Sequence, residues 1–150
     1  MKLYIDGHEF EARPDQSLFD IIKELGLYSG KLSSDPLVAK LAGRVFTLNY
    51  VPLRSKDVSP DRATIRKAME ASGGIVRLFR YDHPTGREAY ARTAQFIVFL
   101  AFGRLYPDAV AKMSCTLGNS IYFSVNGAPE FSADELATEI RKVVEEDIPL

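Results

Sequence analysis

The run from Lys2 to Arg13 constrains the fold of this chain more than any other segment. Leu3 and Ile5 alternate with polar neighbours, Asp6-Gly7 follows, and Phe10 and Ala12 resume the alternation. A period of two gives each strand one apolar face, and Asp-Gly suits the positive φ angles of a two-residue hairpin turn. The chain therefore opens with a β-hairpin. Ser17 can cap a helix carrying Leu18, Ile21, Ile22 and Leu25 at helical spacing, and Gly26 ends it.

The same logic extends along the sequence. Leu37 to Leu41 and Arg44 to Leu48 flank Ala42-Gly43 and predict a second hairpin. Ser59-Pro60-Asp61 predicts a helix start with proline at its first position, Gly73-Gly74 its end, and Ile75 to Tyr81 a strand. His83-Pro84-Thr85-Gly86 reads as a break before a helix over Arg87 to Leu105. That helix is apolar on nearly every face, so it is expected to be largely buried. Two strands over Val110 to Leu117 and Ser120 to Val125 follow, with a turn at Asn126-Gly127. Ser132 and Glu135 form a capping-box pattern for a last helix with Leu136, Ile140, Val143 and Val144 as its buried stripe.

Composition narrows the functions open to such a chain. Hydrophobic residues make up 46% of 150, enough for a core without disulfides or metal. With 19 basic and 20 acidic residues the net charge is -1, so no overall field draws the chain to nucleic acid or to an anionic membrane. Cys115 is the single cysteine and no signal peptide is visible, which predicts a reducing, cytoplasmic setting. The apolar run from Phe96 to Phe102 is too short to span a bilayer, so no membrane partner is expected.

Two stretches resemble known families. Leu3-Tyr4-Ile5-Asp6-Gly7, the Ser17-to-Leu25 helix and Leu37-Val38-Ala39-Lys40-Leu41-Ala42-Gly43-Arg44-Val45 resemble a TGS domain, the small β-grasp module of threonyl-tRNA synthetases and some GTPases. Tyr90-Ala91-Arg92-Thr93-Ala94-Gln95, Arg104-Leu105-Tyr106-Pro107-Asp108-Ala109, Ile121-Tyr122-Phe123, Phe131-Ser132-Ala133-Asp134-Glu135-Leu136 and the ending Glu146-Asp147-Ile148-Pro149-Leu150 resemble the synthetase editing domain, in the same order. The tandem pair also heads bacterial nucleoside kinases related to uridine kinase, which Arg80-Tyr81-Asp82 and Arg92-Thr93 resemble more closely. The resemblance implies an α+β chain. Residues 1–81 would form a TGS-like β-grasp domain with a helical insertion near 60–72, and residues 82–150 the first part of an editing-like antiparallel α/β sandwich.

The resemblance also tests for chemistry. The editing pocket uses two histidines four apart on the long helix, and alignment on Leu105-Tyr106-Pro107 puts Arg92 and Phe96 there. Neither can act as a neutral imidazole, and the family's later Cys/His pair would fall beyond Leu150. No catalytic residue is therefore expected. Arg92, Gln95, Asn119 and Tyr122 are carried over as a candidate ligand cleft. Arg77, Arg80 and Arg87, with Arg92, Tyr81 and Tyr90 nearby in sequence, are candidate phosphate or RNA contacts, although Asp82 and Glu88 among them equally suit a salt-bridged surface.

The remaining reactive types read as structural. His8 and His83 are far apart and have no paired cysteine motif, so no metal site is expected. Cys115, between Met113 and Leu117, reads as a small buried hydrophobe. Gly73-Gly74 lacks the Lys-Ser/Thr of a phosphate loop, so no cofactor site is expected in this chain; ATP and magnesium would belong to a downstream kinase domain.

Three functions stay open on these grounds. The first is a non-catalytic accessory or regulatory region of a nucleoside kinase, binding a ligand, an RNA or a downstream catalytic domain in cis. The second is a tRNA-binding or editing-related fragment of a threonyl-tRNA synthetase-like protein, and the third a free-standing interaction module. Nucleotide and tRNA are thus the candidate ligands, and no residue pattern sets the oligomeric state.

Overall fold

A computed structural model describes residues 1–54, 59–117, 120–128 and 130–148, with backbone alone for 115–117. The described residues form an α+β chain of two compact units, Met1–Tyr90 and Ala91–Leu150.

In the first unit, β1 (Lys2–Ile5) and β2 (His8–Glu11) pair antiparallel around Asp6-Gly7, both at positive φ. Helix α1 (Leu18–Glu24) follows. Its Ser17 cap accepts from the Asp20 amide, and the Asp20 carboxylate accepts from the Ser17 amide in return. Strands β3 (Val38–Leu41) and β4 (Arg44–Thr47) make the second hairpin, and α2 (Pro60–Ala71) starts on the Ser59 cap. Strand β5 (Ile75–Phe79) then enters the middle of the sheet, giving the order β2-β1-β5-β3-β4. It runs parallel to β1, with Tyr4 opposite Ile75, and antiparallel to β3, with Lys40 opposite Arg77.

Alternation assigns the two faces of this sheet. Leu3, Ile5, Ala39, Leu41, Val76 and Leu78 point to one side, where they pack with Leu18, Ile21, Ile22, Ile65 and Met69 from the helices. Full burial of such side chains contributes about 1.5–3 kcal/mol each, so this face holds the unit together. Lys2, Tyr4, Lys40, Val45, Ile75 and Arg77 lie on the other side and are exposed.

Helix α3 (Pro84–Leu105) begins three residues before the expected start at Arg87. Proline is tolerated in a first helical turn, where its missing N–H would have no helical partner. Gly86 is buried against the Arg80 carbonyl, where a Cβ would collide with the backbone. The expected break is thus a helix start.

The second unit contains β6 (Val110–Leu117) paired antiparallel with β7 (Ser120–Asn126), and α4 (Ala133–Glu145). Ala101, Phe102, Leu136 and Val143 are its buried centre, joined by Ile97, Val98, Phe123, Val125 and Ile140. Two expectations fail here. α3 is only partly covered, with Phe96 54% exposed, and Val144 is 57% exposed because the stripe of α4 narrows to Leu136, Ile140 and Val143. The Ser132 hydroxyl accepts from the Glu135 amide as a cap should, and the Ser132 amide donates to the Tyr106 hydroxyl. No helix among the described residues is long and apolar enough to cross a membrane.

Candidate functional site

The editing-like candidates fall on α3 and β7. The helix carries Arg92 and Phe96 one turn apart on one face, both exposed, with Gln95 half-buried beside them. Tyr122 on β7 is 52% exposed and points away from the face on which Phe123 and Val125 join the core of the second unit. Asn119 and the Pro149-Leu150 end of the resemblance lie outside the described residues, as does the Cys115 side chain. The arginine and the phenyl ring leave this helix face without a group that could exchange a proton near neutral pH. Among the described residues no cluster of three His, Cys, Asp or Glu side chains is placed to hold a metal ion. His8 and His83 are exposed in different settings: His8 lies on a strand, while His83 stacks on Phe79 at 4.3 Å and accepts from the Thr85 amide.

The three arginines proposed as phosphate contacts separate into two groups. Arg80 donates through Nη1 to Asp6 at 3.0 Å and through Nε to the Ser34 carbonyl at 2.9 Å, and Arg87 donates to the Asp82 carbonyl at 2.8 Å. These two serve the fold of the first unit. Arg77 stands instead on the exposed sheet face, directly across from Lys40.

The surroundings of that pair define the strongest electrostatic feature of the face. On the β1–β2 side, Lys2 pairs with Glu9 at 2.5 Å and the N-terminal ammonium with Glu11 at 2.7 Å. The hydrogen bond and the opposite charge hold Glu9 below its ordinary pKa and Lys2 above its own. No carboxylate among the described residues pairs with Lys40 or Arg77. Like charges directly opposite on neighbouring strands destabilise a sheet. The pair borders an open depression of about 260 Å³, lined also by Ser72 and Ile75. Arg77 further borders one of about 610 Å³ beside Phe79, Arg80 and His83.

Lys40 reads in the linear sequence only as a polar residue of a predicted strand. It neighbours Arg77 only through a β3–β5 register that joins residues far apart in the chain.

Two curated relatives match this chain. The threonine–tRNA ligase of Clostridioides difficile is 25% identical over 149 residues, covering 97% of this chain and 20% of the relative. Homology to threonyl-tRNA synthetases is thus present, at low identity. The threonine–tRNA ligase of Acetivibrio thermocellus is 32% identical over 78 residues, which is 50% of this chain and 12% of the relative. The chain spans a fifth or less of the length of these synthetases. No family model and no solved structure matches it.

Proposed function

We propose that this chain is a non-hydrolysing, tRNA-contacting region of a threonyl-tRNA synthetase-like protein. The observation that carries the reading is the 149-residue match to a threonine–tRNA ligase, joined to a helix that presents Arg92 and Phe96 where editing needs two histidines. The order β2-β1-β5-β3-β4, with a parallel central pair and α1 between two hairpins, supports a β-grasp, TGS-like first unit. The hairpin and two helices of the second unit support a partial editing-like layer. Without a titratable pair the second unit contributes shape and polar contacts to tRNA, not water activation.

The nucleoside-kinase reading rests on Arg80-Tyr81-Asp82, on Arg92-Thr93 and on the missing histidine pair, which it shares with the reading above. Within the first unit, Arg80 is occupied by Asp6 and Ser34, and the Asp82 carbonyl by Arg87, so local structure accounts for both residues. The comparisons favour the synthetase-related reading.

The parent protein tests this directly. The native product in its source cells is expected to be much heavier than 16.7 kDa, with aminoacylation sequence following this region. A Gly-x-x-x-x-Gly-Lys-Ser/Thr phosphate loop downstream would transfer the region to a kinase. A native mass of 16.7 kDa would contradict both readings.

A further inference from the structure

We propose that the exposed sheet face of the first unit binds a single-stranded RNA segment, with Lys40 and Arg77 on its phosphates and Tyr4 under a base. The proposal rests on the tRNA-contacting reading and deepens it by naming the surface and the form of RNA it takes.

Three observations carry it. First, the charge on this face is uneven. Lys2, Glu9, Glu11 and the N-terminus neutralise one another along β1 and β2, leaving Lys40 and Arg77 side by side on β3 and β5 with no ion-pair partner among the described residues. A sheet accepts such a repulsive pair at a cost in stability, and an anionic ligand offsets that cost. Second, exposed apolar groups flank the cations. Tyr4 is 41% exposed and Ile75, opposite it in register, 53%; Val45, opposite Lys40, is 49% exposed. Cations beside an exposed aromatic ring on a bare sheet suit unpaired bases, which stack on the ring while the backbone meets the charges.

Third, the shape favours a polymer. The two depressions, of about 260 and 610 Å³, are both open, unlike the pockets that bury most of a small molecule's surface. Arg77 borders both depressions; the second is lined also by Asp82 and by Arg80 with its partner Asp6, so the net positive charge is concentrated at Lys40 and Arg77. An extended strand can occupy both. In an A-form duplex the bases are stacked on one another and closed to Tyr4, whereas unpaired nucleotides can lie across the sheet and stack on the ring.

Fluorescence anisotropy with a short fluorescein-labelled oligouridylate tests the assignment on the whole chain. The native protein is expected to bind, with log K falling linearly as log salt rises. Lys40→Gln and Arg77→Gln should each reduce that slope by about 0.7, and the double variant by about 1.4, the single-strand value per phosphate contact. Tyr4→Leu should weaken binding about fivefold or more with the slope unchanged, because stacking releases no counterions. Lys142→Gln, in the second unit and paired with Glu139, should change nothing. All four positions are exposed, and thermal melts of each variant report that it is folded.

An unchanged slope in the folded double variant would overturn the proposal. So would uridine monophosphate binding as tightly as the oligomer, which would make this a small-molecule phosphate site, or polyglutamate displacing the RNA at equal charge, which would make it a dock for acidic protein. A parallel titration with threonine tRNA separates the two levels of inference. If tRNA binds native and double-variant chains alike, this face is not the contact and the tRNA reading stands. If neither tRNA nor the oligomer binds, both fail.

Discussion

Asp6 closes the first hairpin with a positive φ of 46°, accepts from the Leu78 amide at 3.2 Å through Oδ1, and pairs with Arg80 through Oδ2. One side chain thereby ties the β1–β2 turn to the end of β5, 72 residues later. Asp6→Ala removes the partner of a part-buried amide and one side of an ion pair, and should destabilise the chain by about 1–3 kcal/mol in urea titrations. Asp6→Asn, which keeps an acceptor and tolerates the turn, should cost clearly less. The turn itself was legible in the sequence, because Asp-Gly encodes it locally. The bonds to Leu78 and Arg80 were not, since strand alternation fixes faces without fixing which strands become neighbours. Lys40 and Arg77 are the same case at the site: both are visible as exposed strand residues, but their contact needs the register.

At the scale of elements, the serine-capped helix starts were the most legible features. Ser17, Ser59 and Ser132 all cap as their spacing predicts. The start of α3 was misread because Pro84-Thr85-Gly86 has the composition of a breaker, and the contact that favours glycine at position 86 is with the carbonyl of Arg80. Two carboxylates at element ends make acid stability testable. Hydrogen bonds from the Ser17 side chain and then its backbone lower the Asp20 pKa. At Asp35, burial pushes the pKa up, but bonds from the Ser29 hydroxyl and amide and from the Gly30 and Lys31 amides outweigh it and hold it below the ordinary value. A carboxylate depressed in the folded state adds stability above its unfolded pKa and loses it as pH falls through the folded value. Asp20→Asn and Asp35→Asn should therefore be less stable than the native chain at neutral pH. The difference should shrink progressively as pH falls below about 4, followed by thermal melts across that range.

At the scale of the whole molecule, the α+β class and the order of elements were readable from alternation, turn residues and helical spacing. The parallel meeting of β1 and β5 was not, because that pairing joins residues some seventy positions apart. Nor did the all-round apolar pattern of α3 translate into full burial, since periodicity reports which faces are apolar and not how many neighbours cover them. The candidate cleft was legible only by carry-over, and the structure leaves Arg92 and Tyr122 exposed. Function and stability should pull apart at the cationic pair. Lys40→Glu converts a like-charge neighbour of Arg77 into an opposite one, so it should raise stability by about 0.2–1 kcal/mol while it weakens RNA binding. Paired urea titrations and anisotropy on that variant check both directions.

The central claim is that this region contacts tRNA without acting on it. The most direct measurement incubates the chain with misacylated threonine tRNA at low salt and follows the bound fraction and the surviving ester bond together. The account predicts salt-sensitive binding with the ester decaying at its uncatalysed rate, because Arg92 and Phe96 stand where the editing histidines would be and among the described residues no cluster is placed to hold a metal ion. Accelerated hydrolysis, or no binding even at low salt, would contradict it.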